Sequence, residues 1–153
     1  MMWVDHYFFL GFGIAALLTA VANWGNKTKQ AFCLVVALFL FTSLLIPDVL
    51  TDLQIHAVGI AYDAIIMSCL FGLGCKEYQR LILIYPALIL NEVLMASSWM
   101  AFGDVYFMLG QGVTWALYII LISLMWMKSD GISGFRRAFD DLRRRIHSPR
   151  HHA

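Results

Sequence analysis

The chain has 153 residues, of which 61% are hydrophobic and 14% are charged, and its formal net charge is +1 at neutral pH. An ordinary soluble domain is roughly 45–50% apolar and about 25% charged. This composition excludes a soluble globular protein. A membrane-crossing helix takes about 20 residues, so five such helices leave no room for a soluble catalytic domain.

Five apolar stretches are each long enough to cross a bilayer. They cover residues 3–24, 31–50, 53–74, 81–101 and 105–127. The sequence therefore predicts an all-α integral membrane protein, with an up-and-down bundle of five transmembrane helices over residues 1–127 and a basic cytoplasmic tail over residues 128–153. One alternative stays open, because a turn near residue 103 that remains within the membrane makes the last two stretches a re-entrant hairpin.

The eleven Lys and Arg residues determine the predicted orientation. Before the tail they occur only after the first and third stretches, at Lys27, Lys29, Lys76 and Arg80. Basic residues favour the cytoplasmic side of a membrane. We therefore expect a multi-pass protein of the cell (inner or plasma) membrane, with its N-terminus outside and its C-terminus in the cytoplasm.

Two carboxyl groups, Asp63 and Glu92, fall near the predicted bilayer centre, where a charge costs at least about 2.5–3.5 kcal/mol. Counting about 1.5 Å per residue from the nearest stretch ends puts both roughly 15 Å deep, at one depth. No Lys or Arg lies near that depth. We expect desolvation and mutual repulsion to keep at least one of them protonated at neutral pH.

The third stretch carries two different helix faces. Asp52, His56, Gly59 and Asp63 are four, three and four residues apart, so they form one stripe from the outer surface to the midplane. We expect Gly59 to leave room for water beside the acids. The second face is small throughout and suits close packing against another helix; its members are Ala57, Ala61, Ala64, Ser68 and Gly72.

The fourth and fifth stretches add polar residues, which predicts one network among stretches three, four and five. These residues are Tyr85, Asn91, Glu92, Gln111, Thr114 and Tyr118. We expect Pro86 to kink the fourth stretch and the first two stretches to be apolar packing helices. The network either holds the helices together through polar side-chain contacts or forms a water-filled path for protons or cations. A metal site at Asp52 and His56 is disfavoured, since no third ligand lies nearby except the deeper Asp63.

The tail is predicted to form an amphipathic helix over residues 133–147. Its apolar face contains Phe135, Phe139, Leu142 and Ile146. Seven basic and three acidic residues leave the tail at +4, and each basic residue near an anionic leaflet contributes about 1 kcal/mol of binding. We therefore expect the helix to lie on the anionic inner leaflet rather than on nucleic acid; its basic residues are Arg136, Arg137, Arg143, Arg144 and Arg145.

The sequence contains no H-E-x-x-H, G-x-S-x-G or P-loop motif, so we expect no enzyme, no cofactor and no metal. In composition and charge placement, the chain is similar to phage-type holins and to small channel or transporter subunits. This resemblance implies an oligomeric protein that permeabilises the membrane or conducts protons or cations. The alternative is a structural or regulatory anchor that binds another membrane protein through small-residue helix faces and the basic tail.

Overall fold

The computed structural model describes residues 2–45, 52–102 and 104–147. Every regular element within these ranges is a helix, so the predicted all-helical architecture is confirmed. The elements are α1 (Met2–Ala22), α2 (Lys27–Ser43), α3 (Asp52–Gly72), a short 3-10 helix (Gln79–Leu83), α4 (Ile84–Phe102), α5 (Asp104–Met127) and α6 (Gly131–His147).

Three segments of the described residues are long and apolar enough to cross a membrane: Gln54–Gly72, Gln79–Ser97 and Met108–Met127. Within α1, residues Tyr7–Ala22 are a shorter apolar segment of the described residues. Large apolar side chains on the bundle point outwards, as Leu90 and Leu109 do with 59% and 63% of their surface exposed. Soluble proteins rarely expose extended apolar patches, so these features indicate a membrane protein.

Helices α1 to α5 form a closed ring, in which each helix packs against the next and α5 packs back against α1. Apolar side chains fill much of its interior. Phe32 and Val36 of α2, Leu70 of α3 and Leu121 of α5 have no exposed surface. Because the ring closes within one chain, it can bury polar side chains without a second copy.

The connections that carry basic residues meet at one end of the ring, which we call the basic end. Lys29 donates from Nζ to the backbone oxygen of Lys128 at 3.2 Å, and Lys128 donates from Nζ to the backbone oxygen of Glu77 at 3.0 Å. Gly25 and Gly74, which follow α1 and α3 there, have φ values of 93° and 60°, a region that glycine enters without steric cost. The ends of α1, α3 and α5 therefore lie together, as an up-and-down bundle requires.

Helix α2 differs from the prediction at its first residue, and local capping explains the difference. It begins at Lys27 rather than at residue 31, because the side-chain oxygen of Asn26 accepts the backbone N–H of Lys29 at 3.2 Å and thereby satisfies a free donor of the first turn. The predicted end of this stretch, and the corner before α3, lie outside the described residues.

The start of α4 also differs from the prediction. Residues Gln79–Leu83 form a 3-10 helix, and α4 begins at Ile84. Pro86 therefore lies in the first turn of α4, where the helix has no hydrogen bond to lose. The predicted kink at Pro86 stays a prediction.

Candidate functional site

A pair of ionisable side chains, one buried and one half-buried, joins α3 to α4. His56 Nδ1 and Glu92 Oε2 are 2.7 Å apart, and the two side chains are 5% and 17% exposed. The Glu92 carboxyl group also lies beside Gly59, where an added Cβ atom would be 3.4 Å from Glu92 Cδ. The space beside Gly59 therefore holds a carboxyl group rather than the predicted water.

The second acid, Asp63, lies farther along α3 towards the basic end and is 8% exposed. The Tyr118 hydroxyl of α5 donates to Asp63 Oδ1 at 3.5 Å, which is longer than the usual 2.5–3.0 Å of an O–H···O bond. The rings of Phe9 and Phe12 on α1 lie 5.9 and 5.8 Å from the Tyr118 ring. Helix α1 thus covers this part of the site with aromatic side chains.

The two acids have different contacts along α3, and their common membrane depth stays a prediction. Glu92 contacts His56 and Gly59, which precede Asp63 by seven and four residues. At about 1.5 Å per residue, these contact positions lie about one to two helical turns before Asp63 along α3. The 3-10 helix before α4 contributes to this offset, because it advances about 2.0 Å per residue. The ionisable side chain that contacts Glu92 directly is therefore His56.

A neutral cross-link joins α4 to α5 beside these ionisable groups. Asn91 donates from Nδ2 to the backbone oxygen of Gly110 and to Thr114 Oγ1, both at 2.9 Å. Asn91 and Thr114 therefore bond to each other within the predicted network. Gln111 lies half-buried on the same helix. Tyr85 of α4 is fully buried, and its hydroxyl has no hydrogen-bond partner among the described residues.

Two further sets of predicted site residues belong to α3. Asp52 begins α3, and its side chain is outside the described residues. The small-residue stripe does not pack inside the ring: Ala57, Ala61 and Ser68 are exposed, and Gly72 has open space beside it. No group of three potential metal ligands occurs in the described part of the chain.

The tail residues lie on α6, whose observed range is Gly131–His147. Phe135 is half-buried, whereas Phe139, Leu142 and Ile146 are 67%, 56% and 70% exposed. The five predicted arginines are exposed as well. An exposed apolar face beside exposed arginines is the pattern of a helix at a membrane surface.

Sequence analysis missed a second polar cluster, which lies at the basic end. Asn23 is fully buried and donates from Nδ2 to the Tyr78 hydroxyl at 2.9 Å, and Tyr78 donates to the backbone oxygen of Met125 at 3.0 Å. The sequence signal for it is the pair Thr19 and Asn23, four residues apart at the end of α1 and just after it. Helix α1 therefore contributes more than apolar packing.

The segment between α3 and the 3-10 helix is also less exposed than a surface loop. Cys75 and Tyr78 are 3% and 0% exposed. Burial raises the pKa of the Cys75 thiol and the pKa of the Tyr78 phenol above their ordinary values. Both groups are therefore uncharged at neutral pH, and the cluster at the basic end is held by neutral hydrogen bonds.

An apolar layer separates the two polar clusters. Ile66 and Leu70 follow Asp63 on α3 and are 4% and 0% exposed, and the fully buried Leu121 lies between Tyr118 and Met125 on α5. The ionisable groups thus lie on the far side of this layer from the basic end. In this conformation they have no continuous polar connection to that end through the described residues.

Comparisons with protein-family models, curated proteins and solved structures found no match. The chemistry of the site is therefore the basis for a functional inference. It combines a histidine, whose two ring nitrogens can each donate or accept a hydrogen bond, with two carboxyl groups inside one helix bundle.

Proposed function

We propose that this chain is a non-enzymatic, five-span membrane protein that moves protons, or small cations in their place, through the polar cluster of α3, α4 and α5. The observation that carries the proposal is the His56–Glu92 pair, with Asp63 farther along the same helix. Ionisable side chains are costly at membrane depth and usually mark ion or proton paths. A His–carboxylate pair beside a second carboxyl group supplies successive positions for a proton.

A purely structural role explains these groups less well. Asn91 already links α4 to α5 through two hydrogen bonds of 2.9 Å, and a neutral amide does so without a charge to bury. Asp63, in contrast, meets Tyr118 at 3.5 Å, which is a weak link between helices. Neutral residues would hold the helices in register equally well, whereas ionisable residues can also carry a proton.

In the proposed topology, α1 to α5 each cross the membrane, with the N-terminus outside and the basic end and α6 in the cytoplasm. The contact between Lys29 and Lys128 brings the basic connections to one end of the ring, and the proposed orientation follows from the general preference of basic residues for the cytoplasmic side. Helix α5, and α4 together with the 3-10 helix before it, each contain a segment long and apolar enough to cross a membrane, which favours two full crossings over a re-entrant hairpin.

The apolar layer at Leu70 and Leu121 favours gated transfer over a permanently open pore. A proton entering from the outer end reaches His56, Glu92 and Asp63 before it meets this layer. Passage to the basic end then requires the helices to move apart, so that water can enter between the two polar clusters. We accordingly favour the conducting form of the predicted function over membrane permeabilisation.

The proposal is tested with the full chain in vesicles that contain a pH-sensitive dye, under an imposed pH gradient. We expect flux above that of empty vesicles, and we expect Asp63→Asn or Glu92→Gln to abolish it, because an amide at either position cannot exchange a proton. Glu77→Gln is the matched control, since it makes the same change at the basic end and should leave flux intact. Undiminished flux in the Asp63→Asn, Glu92→Gln double variant would eliminate the proposal.

A second candidate is the anchor function, in which the chain binds another membrane protein or a further copy of itself. The exposure of Ala57, Ala61 and Ser68 on α3 favours it, because small residues let a neighbouring helix approach closely. The same vesicle assay separates the two functions. A pure anchor gives no flux above that of empty vesicles, even though the protein is inserted.

A further inference from the structure

A groove with a volume of about 320 Å³ lies between the end of α1 and the side of α6. Val21 and Trp24 form one wall, and Ala138, Phe139 and Leu142 are part of the other. Arg145 is the one charged residue that lines the groove within the described part of the chain. The groove is thus an apolar slot with a cation at its edge.

Two contacts between α1 and α6 form this groove. Gly134 of α6 lies so close to the backbone oxygen of Ala22 that a Cβ atom would overlap it. Trp24 donates from Nε1 to Asp141 Oδ2 at 3.0 Å. Because this bond satisfies the one polar group of the Trp24 side chain, the indole ring presents apolar surface to the groove.

The groove is open towards its surroundings at the level of the basic end. Phe139 and Leu142 retain 67% and 56% exposure even though they line it. Its volume is at the lower end of the roughly 300–1,000 Å³ of small-molecule sites. It therefore suits part of one extended hydrocarbon chain rather than a bulky ligand.

We propose that this groove binds one anionic phospholipid of the cytoplasmic leaflet, with part of an acyl chain against Val21 and Leu142 and the phosphate group at Arg145. An apolar slot and a cation at its edge complement the apolar chain and the anionic headgroup of such a lipid. Guanidinium groups bind phosphate oxygens through paired hydrogen bonds. The long aliphatic stem of Arg145 can follow the apolar wall while its charged end reaches the headgroup level.

The test uses the purified full chain in detergent and counts bound lipids by native mass spectrometry. The probes are dioleoyl-phosphatidylglycerol, which is anionic, and dioleoyl-phosphatidylcholine, which has the same chains but no net charge. We expect one retained phosphatidylglycerol per chain, with a preference of about fivefold over phosphatidylcholine, the factor expected for one basic residue near an anionic headgroup. Equal retention of the two lipids would contradict recognition of the headgroup charge.

Two charge variants of α6 distinguish a site from diffuse attraction. Arg145→Gln should remove the preference, so that phosphatidylglycerol and phosphatidylcholine are retained about equally. Arg136→Gln removes the same charge from an exposed position of the same helix that does not line the groove, so it should keep most of the preference. Equal losses in both variants would mean that α6 attracts lipid only through its overall charge, and the proposed site would be wrong.

A third variant tests the groove without removing a charge. Ala138→Trp fills the groove and should lower retention of both lipids, and retention at the wild-type level would place the bound lipid elsewhere. A dimer that carries no lipid would mean that a second copy of the chain covers the groove, which would also overturn the proposal.

Discussion

At the scale of single residues, the two buried tyrosines of the α4 region show how differently a hydroxyl group can be accommodated. Tyr78 and Tyr85 are both fully buried and lie seven residues apart. The Tyr78 hydroxyl accepts from Asn23 and donates to Met125, whereas the Tyr85 hydroxyl has no partner among the described residues. Burial of a hydroxyl is costly unless hydrogen bonds replace those made with water.

This contrast gives a matched pair of substitutions. We expect Tyr78→Phe to lower the free energy of unfolding by about 1–3 kcal/mol, because it leaves buried partners without a hydrogen bond. Tyr85→Phe removes an unpaired hydroxyl from an equally buried ring and should be neutral or stabilising. Unfolding by sodium dodecyl sulfate in mixed micelles measures both. A loss in Tyr85→Phe as large as that in Tyr78→Phe would contradict this assignment of the hydrogen bonds.

The residues of the polar cluster could be predicted from the sequence, but their partners could not. Helical spacing on α3 places His56 and Asp63 on one stripe, because the angle between residues is fixed within a helix. Which acid faces His56 depends on the axial position of α4. The 3-10 helix affects that position, and it follows a segment with the buried Cys75 and Tyr78 that the sequence indicated to be a polar break.

At the scale of elements, the packing of α6 against α1 opposes the intrinsic preference of its own sequence. Gly134 is an interior residue of α6, where glycine is less favourable than alanine by roughly 0.5–1 kcal/mol. The close approach of Gly134 to the backbone of Ala22 explains the glycine. Contact between the helices is thus obtained at the expense of local helix stability.

The substitution Gly134→Ala separates these two effects, because they predict opposite signs. If helix propensity outweighed the contact with α1, the alanine would stabilise α6 and slow its amide hydrogen exchange. We expect faster exchange instead, because the added Cβ atom overlaps the Ala22 carbonyl and displaces the helix, which also removes the Trp24–Asp141 bond. Ser133→Ala, at the exposed neighbouring position, is the control and should leave exchange within about twofold of wild type. Slower exchange in Gly134→Ala would mean that α6 is ordered independently of α1.

Helix identity was predictable because membrane-length apolar stretches leave few alternatives. Helix ends were less predictable, since they depend on single groups. The Asn26 cap starts α2 four residues before the apolar stretch that defines it in the sequence. The 3-10 helix likewise delays α4 to Ile84, although the apolar stretch begins at residue 81.

At the scale of the whole molecule, the closed ring and the shared basic end follow from the same feature of the sequence. Connections rich in Lys and Arg alternate with connections that have none, so helices that alternate in direction bring the basic connections to one end. The hydrogen bonds of Lys29 and Lys128 are in agreement with this arrangement. Such bonds define which ends lie together but carry no information about the side of a membrane, which therefore stays a prediction.

Cysteine labelling on a background free of the native cysteines tests that prediction. Thr28→Cys and Lys76→Cys place thiols at exposed positions of the basic end, and Asp104→Cys places one at the start of α5, at the opposite end. We expect a membrane-impermeant maleimide applied to intact cells to label position 104, and to label positions 28 and 76 only after permeabilisation.

Each labelling result that differs from this expectation indicates a different membrane topology. Labelling of positions 28 and 76 from outside would reverse the orientation and would place the α6 groove in the outer leaflet. If position 104 is unreactive from outside while positions 28 and 76 keep the expected pattern, α4 and α5 form a re-entrant hairpin. In that case α4, which carries Glu92, would enter the membrane without crossing it. The proposed path from the outer end through His56 and Asp63 would then not be enclosed by α4 along its full length.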